Sequence, residues 1–274
     1  MSLALSEIHI YPVKSLAGIR VSEATLTERG LAHDRRWMIV GPKGMLTQRT
    51  VPAMALLRTR LHENHLEVYS EGVPPLTLPL TPPSDLPATS ARVWDDSVTG
   101  IPVSSEADGW FSQALNQPCT FLYMPDDCER TVAGQVSDRR QPVSFADSYP
   151  ALLIGQASLD DLNTRLAEPV SMNRFRPNLV FTGGKPYEED TWHAFRIGDT
   201  PAWAEKPCAR CTLVTVDQTT ARRGKEPLAT LAKYRTQGNN VLFGQNLLYE
   251  PGDVIRVGDA IRVETHKPDT PRFG

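Results

Sequence analysis

A chain of 274 residues suits one large domain or two small ones. Its 40% hydrophobic and 22% charged residues make an ordinary globular composition, and the formal net charge of −3 speaks against a nucleic-acid partner, which wants a basic face. No apolar run approaches the about 18 residues that a membrane helix needs. The N-terminus lacks the basic and apolar regions of a signal peptide, so a reducing cytoplasmic setting is expected, with Cys119, Cys128, Cys208 and Cys211 as thiols.

Strand patterns dominate the first hundred residues. Alternation predicts strands at Glu7–Tyr11, in part of Val21–Thr27, and at Arg36–Val40, which a Gly41–Gly44 turn leads into Met45–Thr47. His65–Tyr69 alternates again. The stretch Gly72–Thr89 carries six prolines and is expected to be loop with a short strand at most. A helix is predicted over Ser105–Asn116, with Trp110, Phe111, Ala114 and Leu115 on one face. Ser158–Asp161 resembles a capping box opening a second helix through Leu159, Leu162 and Leu166. A third starts near Glu226-Pro227, with Leu228 and Leu231 inward. Further strands are expected at Leu179–Phe181, Thr212–Val216 and Val254–Val263, the last a tight hairpin around Gly258-Asp259. The fold class is mainly β with helical insertions, barrel-like, with a division near residues 112 to 120. No period of about 20 to 50 residues recurs, which excludes a solenoid or propeller.

Chemistry concentrates in five places. Cys208 and Cys211 form a C-x-x-C whose spacing allows a redox pair, a metal ligand or simple packing. The strand expected after Cys211 weakens the redox alternative, because thiolates of that kind sit at helix starts. The nine-residue gap between Cys119 and Cys128 weakens a zinc ribbon, and both are expected to be packed thiols. Arg210 beside Cys211 favours thiolate, a ligand for soft or high-valent metals. Lys14-Ser15, in a loop ending at Gly18, can hold an anion or be a solvated turn. Asp34-Arg35-Arg36 should send its two arginines to opposite faces. Phe145–Pro150 leads into a buried strand, and Arg176 and Asn178 share a face at a strand's edge. Arg130, Arg139 and Arg140 are expected in a solvated mobile loop, and Arg222, Arg223 and Lys225 in an exposed turn.

In order and content these segments resemble the MOSC-domain proteins that carry an N-terminal MOSC β-barrel region. They are particularly similar to bacterial relatives of the mitochondrial amidoxime-reducing component. The matching text is P-V-K-S, G-L-x-x-D-R-x-W, S-F-A-D-x-Y-P, F-R-P-N-L-V, P-C-x-R-C-x-x-x-T-V, F-G-Q-N-L and V-I-R-V-G-D, spread over residues 4 to 264. The resemblance implies an N-terminal barrel-like domain over 1–115, a MOSC β-barrel domain over 116–264 and a tail over 265–274. It also implies a molybdenum cofactor with Cys211 as the protein's ligand to the metal. Lys14, Ser15, Arg35, Ser148, Arg176, Asn178 and Arg210 are the implied cofactor contacts, and Asp147 is an acid near the metal, placed to relay a proton. Lys14, Arg35, Arg176 and Arg210 are also the donors that a pterin phosphate needs.

The implied function is reduction of small N-hydroxylated compounds. Some bacterial relatives continue into a ferredoxin-like domain, and no cysteine follows Cys211 here, so electrons are expected from a separate iron–sulfur or flavin protein. The alternative is a cofactor carrier or sulfur-transfer protein. MOSC domains also end the cofactor sulfurases, whose sulfur is generated by a separate pyridoxal-dependent domain. A third possibility is a metal-free scaffold.

Overall fold

Strand-forming segments of both halves of the chain meet in one nine-stranded sheet. The computed structural model describes residues 2–82, 87–135 and 137–268. The sheet's order is Ile19–Val21, Ala4–Ile10, Leu179–Thr182, Ala151–Gly155, Asn240–Tyr249, Thr200–Arg210, Ala194–Ile197 and Ile261–Val263, with Thr236–Gln237 also paired to Asn240–Tyr249. Only Ala151–Gly155 and Leu179–Thr182 run parallel, and the helix Gln156–Thr164 lies on the connection between them. Backbone bonds from Leu5 to Asp259 and from Ile261 to Leu3 bring the far edge back to the N-terminal strand, so the sheet nearly closes as a barrel. Its interior is filled by Leu5, Ile8, Leu153, Phe181, Trp192, Phe195 and Leu247.

The remaining N-terminal segments build a second core. A five-stranded sheet runs Thr89–Val93, Asp96–Pro102, Thr120–Tyr123, Trp37–Gly41 and Gly44–Met45. Arg58–Leu61, His65–Ser70 and Val73–Pro79 form a three-stranded sheet. Between them the helix Ser105–Leu115 buries Ala107, Phe111 and Leu115 against Trp37, Leu66, Val68 and Phe121. Its amphipathic spacing was legible, and Ser104 caps it by accepting from the Ala107 amide. Strands from the two ends of the chain pair with each other: Ala4–Ile10 pairs with Leu179–Thr182, and Glu23–Thr27 with Val254–Arg256.

Four local expectations are corrected. Val73–Pro79 is a full strand despite Pro74, Pro75 and Pro79, because it is an edge strand paired only with His65–Ser70, and Pro74 and Pro75 fall in the register shift between the Val68–Leu76 and Ser70–Val73 pairs. Residues 83–86 of the proline-rich stretch lie outside the described residues. The second helix starts at Gln156, and Ser158 lies inside it, its hydroxyl donating to Glu189 and accepting from the Tyr187 amide, not from an amide of its own helix. Val254–Arg256 and Ile261–Val263 join different sheets, so the Gly258-Asp259 turn separates them and makes no hairpin. Thr212–Val216 is no strand: Thr212–Thr215 is a 3-10 turn in which the Thr215 hydroxyl donates to the Thr212 carbonyl at 2.7 Å, competing with a ladder.

Glu189 links the barrel to the helix Gln156–Thr164, accepting from the Gly155 amide at 3.0 Å and from the Ser158 hydroxyl. Burial, joined by the adjacent Asp190, pushes its carboxyl from 4.5 up to about 7. The folded protein therefore keeps this proton longer than the unfolded chain does. Stability falls as pH rises between those two values, and the loss is complete above them. Glu189→Gln keeps an acceptor for Gly155 and cannot ionise. It is expected to flatten the slope and to raise stability near pH 8 by up to about 3 kcal/mol, with little change near pH 5. Urea midpoints at the two pH values check this, and equal shifts at both would refute it.

Candidate cofactor-binding and active site

The site forms where three loops of the first 150 residues meet the segment Phe175–Asn178 and the strand Thr200–Arg210. The first loop follows the strand Ala4–Ile10 and carries Lys14 and Ser15. A Cβ at Gly18 would collide with the Tyr11 ring, which explains a glycine at the end of this loop. The second carries Asp34 and Arg35, and the third is Phe145–Pro150. Backbone bonds knit them: Arg35 N donates to Tyr11 O at 2.8 Å, and Phe145 N to Arg35 O at 2.9 Å. The result is a cavity of about 230 Å³. All nine residues named from the sequence line it: Lys14, Ser15, Arg35, Asp147, Ser148, Arg176, Asn178, Arg210 and Cys211.

Three of them hold their places at a backbone cost. Ser15, Arg35 and Arg176 have φ of 66, 48 and 55°, the left-handed region where a side chain costs roughly 1–2 kcal/mol. Arg35 and Arg36 do diverge, as expected. The cause is this left-handed residue and not strand alternation, since the strand starts at Trp37. Arg36 turns away to Tyr123 and Asp126. Likewise Arg176 precedes its strand, which starts at Leu179.

Two of the site's cations are ion-paired, Lys14 with Asp147 and Arg35 with Asp34, whereas Arg176 and Arg210 have no acid partner among the described residues. The Lys14 ammonium donates to Phe145 O and to Asp147 Oδ1, each at 2.6 Å. Loss of solvent works against the charge on Asp147, yet the Lys14 ammonium and Arg35 hold its carboxyl well below the usual carboxylate range. Burial pushes the Lys14 ammonium down, against the pull of Asp147. Arg35 donates to Asp34 Oδ2 at 2.6 Å and to Asn178 Oδ1 at 2.8 Å. Arg210 donates to Phe175 O and, through Nη1, to Cys208 Sγ at 2.9 Å. The cation expected beside Cys211 is thus spent on Cys208. Arg176 is 8% exposed and its guanidinium has no hydrogen bond or ion pair among the described residues. It lies over the Tyr11 ring at 4.3 Å, and burial pushes it down to about 10. Arg210 Nε is also buried without a partner.

Sequence reasoning missed several neighbours. Arg35 and Arg176 both lie over the Tyr11 ring, the Tyr11 hydroxyl donates to Pro177 O at 3.0 Å, and burial pushes it up to about 12. Lys206, Cys208, Tyr149 and Asn246 also line the cavity. Cys208 falls in a bulge of its strand, between Pro207 and Ala209, a device that re-aims a side chain. Arg130, expected in a mobile loop, is 6% exposed and donates to the carbonyls of Ser144, Ala146 and Asp147, clamping the loop that carries Asp147. Its distance in sequence from any motif hid that role. Cys119 and Cys128 are buried, as expected of packed thiols.

The comparisons with known proteins agree with this arrangement. Residues 2–118 match the model of the MOSC N-terminal beta barrel domain, and residues 140–262 that of the MOSC domain. This chain belongs to the MOSC family. It is 34% identical to mitochondrial amidoxime-reducing component 1 of Mus musculus over 94% of this chain and 81% of the relative. It is 35% identical to component 2 of Rattus norvegicus over 94% and 82%. It is also 34% identical to the molybdenum cofactor sulfurase of Oryza sativa subsp. japonica, over 90% of this chain but only 33% of that longer protein.

The donor set suits the cofactor that the family resemblance implies. Arg176 and Arg210 Nε are buried donors with no acceptor among the described residues, as an anionic group would need. Among those residues no three His, Cys, Asp or Glu side chains gather to hold a bare metal ion. One exposed thiol, Cys211, fits a metal that arrives with its other ligands on an organic group. A lone buried charge is a burden to the cofactor-free fold. Arg176→Met, which keeps the packing on Tyr11, is therefore expected to leave the melting temperature of cofactor-free protein within about 2 °C or to raise it. A larger drop in a thermal melt would expose a partner that this geometry lacks.

Proposed function

We propose that this MOSC protein is a molybdenum-cofactor-dependent oxidoreductase that reduces small N-hydroxylated compounds to the parent amine or amidine. The observation that carries the proposal is the single cavity uniting Cys211 with Lys14, Ser15, Arg35, Ser148, Arg176, Asn178 and Arg210. Arg176 and Arg210 would hold the cofactor's phosphate, with Lys14 and Arg35 adding positive charge from across the cavity. Ser15, Ser148 and Asn178 supply the polar groups that match a pterin's amide-like edges. Cys211 would ligate the metal. When bound, the cofactor supplies two-electron oxygen-transfer chemistry.

The rest falls to the chain's own groups. Two electrons and two protons turn an N–OH into an N–H and water. Asp147 is 62% exposed, and its Oδ1 receives Lys14 Nζ. A proton held at that ammonium would cross the carboxylate to the departing oxygen. The electrons would come from a separate iron–sulfur or flavin protein. No helix among the described residues is long and apolar enough to cross a membrane.

A second reading has one observation in its favour. Cys208, a second thiol held by Arg210, lines the same cavity. A carrier or sulfur-transfer role would place a persulfide on Cys211, delivered by a separate desulfurase. The test is to load the protein in a cofactor-competent host, measure molybdenum and pterin, and assay benzamidoxime with reduced viologen. Turnover is expected, and Cys211→Ser should cut it by about two orders of magnitude or more, because a hydroxyl is a hard and poor substitute for thiolate. Pterin should be partly retained in that variant through the arginines. Full molybdenum occupancy without turnover would sink the reductase reading, and a desulfurase-dependent persulfide on Cys211 would then support the second.

A further inference from the structure

The exposed turn that carries Arg222, Arg223 and Lys225 does not line the cavity, yet two ties bind it there. It comes soon after the 3-10 turn Thr212–Thr215 that follows Cys211, and it folds back on that turn. Val216 bridges Arg223, and Gly224 N donates to Thr215 O at 3.0 Å. The second tie crosses from the first half of the chain. Gln48 and Gln218, both buried, exchange side-chain amide bonds of 3.1 and 2.8 Å. Gln48 Nε2 also donates at 2.9 Å to the carbonyl of Ser15, a cavity residue.

This knot draws two more arginines to the turn. Arg58 donates to Gln218 O at 3.5 Å, and Arg223 donates to the carbonyls of Gln48 and Arg49. The Arg49 guanidinium lies 3.9 Å over the Trp94 ring, whose indole donates to Asp147 on the cavity wall at 3.1 Å. Arg49, Arg58, Arg222, Arg223 and Lys225 thus come from three stretches of sequence to one surface beside the site. None has an acid partner among the described residues. The acids of the turn are engaged: Asp217 by Arg174 and two threonine hydroxyls, Glu226 by the Thr230 amide. In a chain of net charge −3, such a gathering is a local excess that charge balance does not call for. Nor is it a set of freely waving side chains, since backbone carbonyls hold Arg58 and Arg223 in place.

We propose that this basic surface is where the electron-donor protein docks, and that the donor presents an acidic face around its redox centre. This rests on the reductase reading and names the chemistry of the partner. Charge of one sign on such a surface steers a protein of the other sign and orients it as it arrives. The two ties set the surface against Ser15 and the segment after Cys211, so a donor seated there adjoins the cavity. A one-electron carrier must dock twice for each N–OH reduced to N–H and water. A brief, charge-steered contact suits that traffic better than a large apolar one.

The test uses cofactor-loaded protein, with a reduced acidic plant-type ferredoxin as donor and benzamidoxime as acceptor. Arg222→Glu/Lys225→Glu reverses two exposed cations whose side chains hold nothing among the described residues. Arg256→Glu/Arg262→Glu makes the same change of charge elsewhere, at exposed ion pairs with Glu23 and Asp199 that carry little stability. The native kcat/KM for ferredoxin should fall steeply between about 20 and 200 mM salt. At low salt Arg222→Glu/Lys225→Glu should lose about tenfold to a hundredfold, and with it most of the salt dependence. Turnover with reduced methyl viologen, which needs no docked protein, and molybdenum content should stay native in both variants. Calorimetry with oxidised ferredoxin reads docking without turnover, and affinity should drop in Arg222→Glu/Lys225→Glu alone.

An unchanged ferredoxin kcat/KM in that variant, an equal loss in Arg256→Glu/Arg262→Glu, or no ferredoxin binding to the native protein at low salt would overturn the proposal. Binding that depends on Arg222 and Lys225, in a protein that viologen cannot drive, would sink the reductase reading and leave the docking surface standing. If Arg222→Glu/Lys225→Glu keeps ferredoxin binding but loses desulfurase-dependent persulfide on Cys211, the surface belongs to a sulfur donor and the proposal fails.

Discussion

The guanidinium groups of Arg35 and Arg176 lie 4.4 and 4.3 Å from the centre of one ring, that of Tyr11. Like charges buried so close repel, and the site depends on how that repulsion is relieved. Asp34, 1% exposed, pairs with Arg35 and fixes the Tyr11 amide through its other oxygen at 2.8 Å. Asp147 pairs with Lys14. Carbonyls of Phe145, Arg176 and Phe175 take further donors from Lys14, Arg35 and Arg210. After all of these, Arg176 still lacks an anion among the described residues. The protein thus builds a well-braced positive cavity in which Arg176 and Arg210 have no acid partner among the described residues, the condition that an anionic ligand relieves.

That arrangement explains the crossing of sheets between the two halves. Lys14 and Arg35 follow strands near the N-terminus, whereas Arg176, Arg210 and Cys211 belong to the second half. Placing Ala4–Ile10 inside the large sheet, beside Leu179–Thr182, sets the Lys14 loop against the Arg176 loop. Asn178 seals the joint, donating to His9 O while its other atoms serve Arg35 and Leu152. Two independent barrels joined by a linker would leave these cations on separate bodies. The strain at Ser15, Arg35 and Arg176 is tolerated because the joint over-determines their backbones.

Much of the site was legible because its residues sit in short local motifs, such as P-V-K-S and F-R-P-N, whose composition survives without knowledge of the fold. What escaped was set by tertiary context. The β-branched run Thr212–Val216 reads as a strand, but Arg174 donates to Val214 O at 2.9 Å and Val214 enters the core beside Phe175 and Leu231, so the chain coils there. Pro74, Pro75 and Pro79 argue for a loop unless one knows that their strand has a single partner. Arg130 and Trp94 act on Asp147 across long sequence separations, Arg130 gripping its carbonyl and Trp94 its carboxylate. No periodicity or spacing encodes such contacts.

The pair Cys208 and Cys211 shows how context decides a motif. In a redox C-x-x-C, a long helix start lowers the pKa of one thiol and the other resolves the mixed disulfide. Here Cys208 lies in the bulge of a strand that ends at Arg210, and only a four-residue 3-10 turn follows Cys211. The intervening arginine bends back to Cys208, so that thiol is anchored. Cys211 is exposed and lines the cavity, and its thiol has no hydrogen bond among the described residues. Anchoring one thiol and presenting the other is an asymmetry suited to holding a ligand on Cys211 while the positive wall takes up the negative charge that such a ligand brings. It separates the two cysteines by role without requiring any chemistry between them.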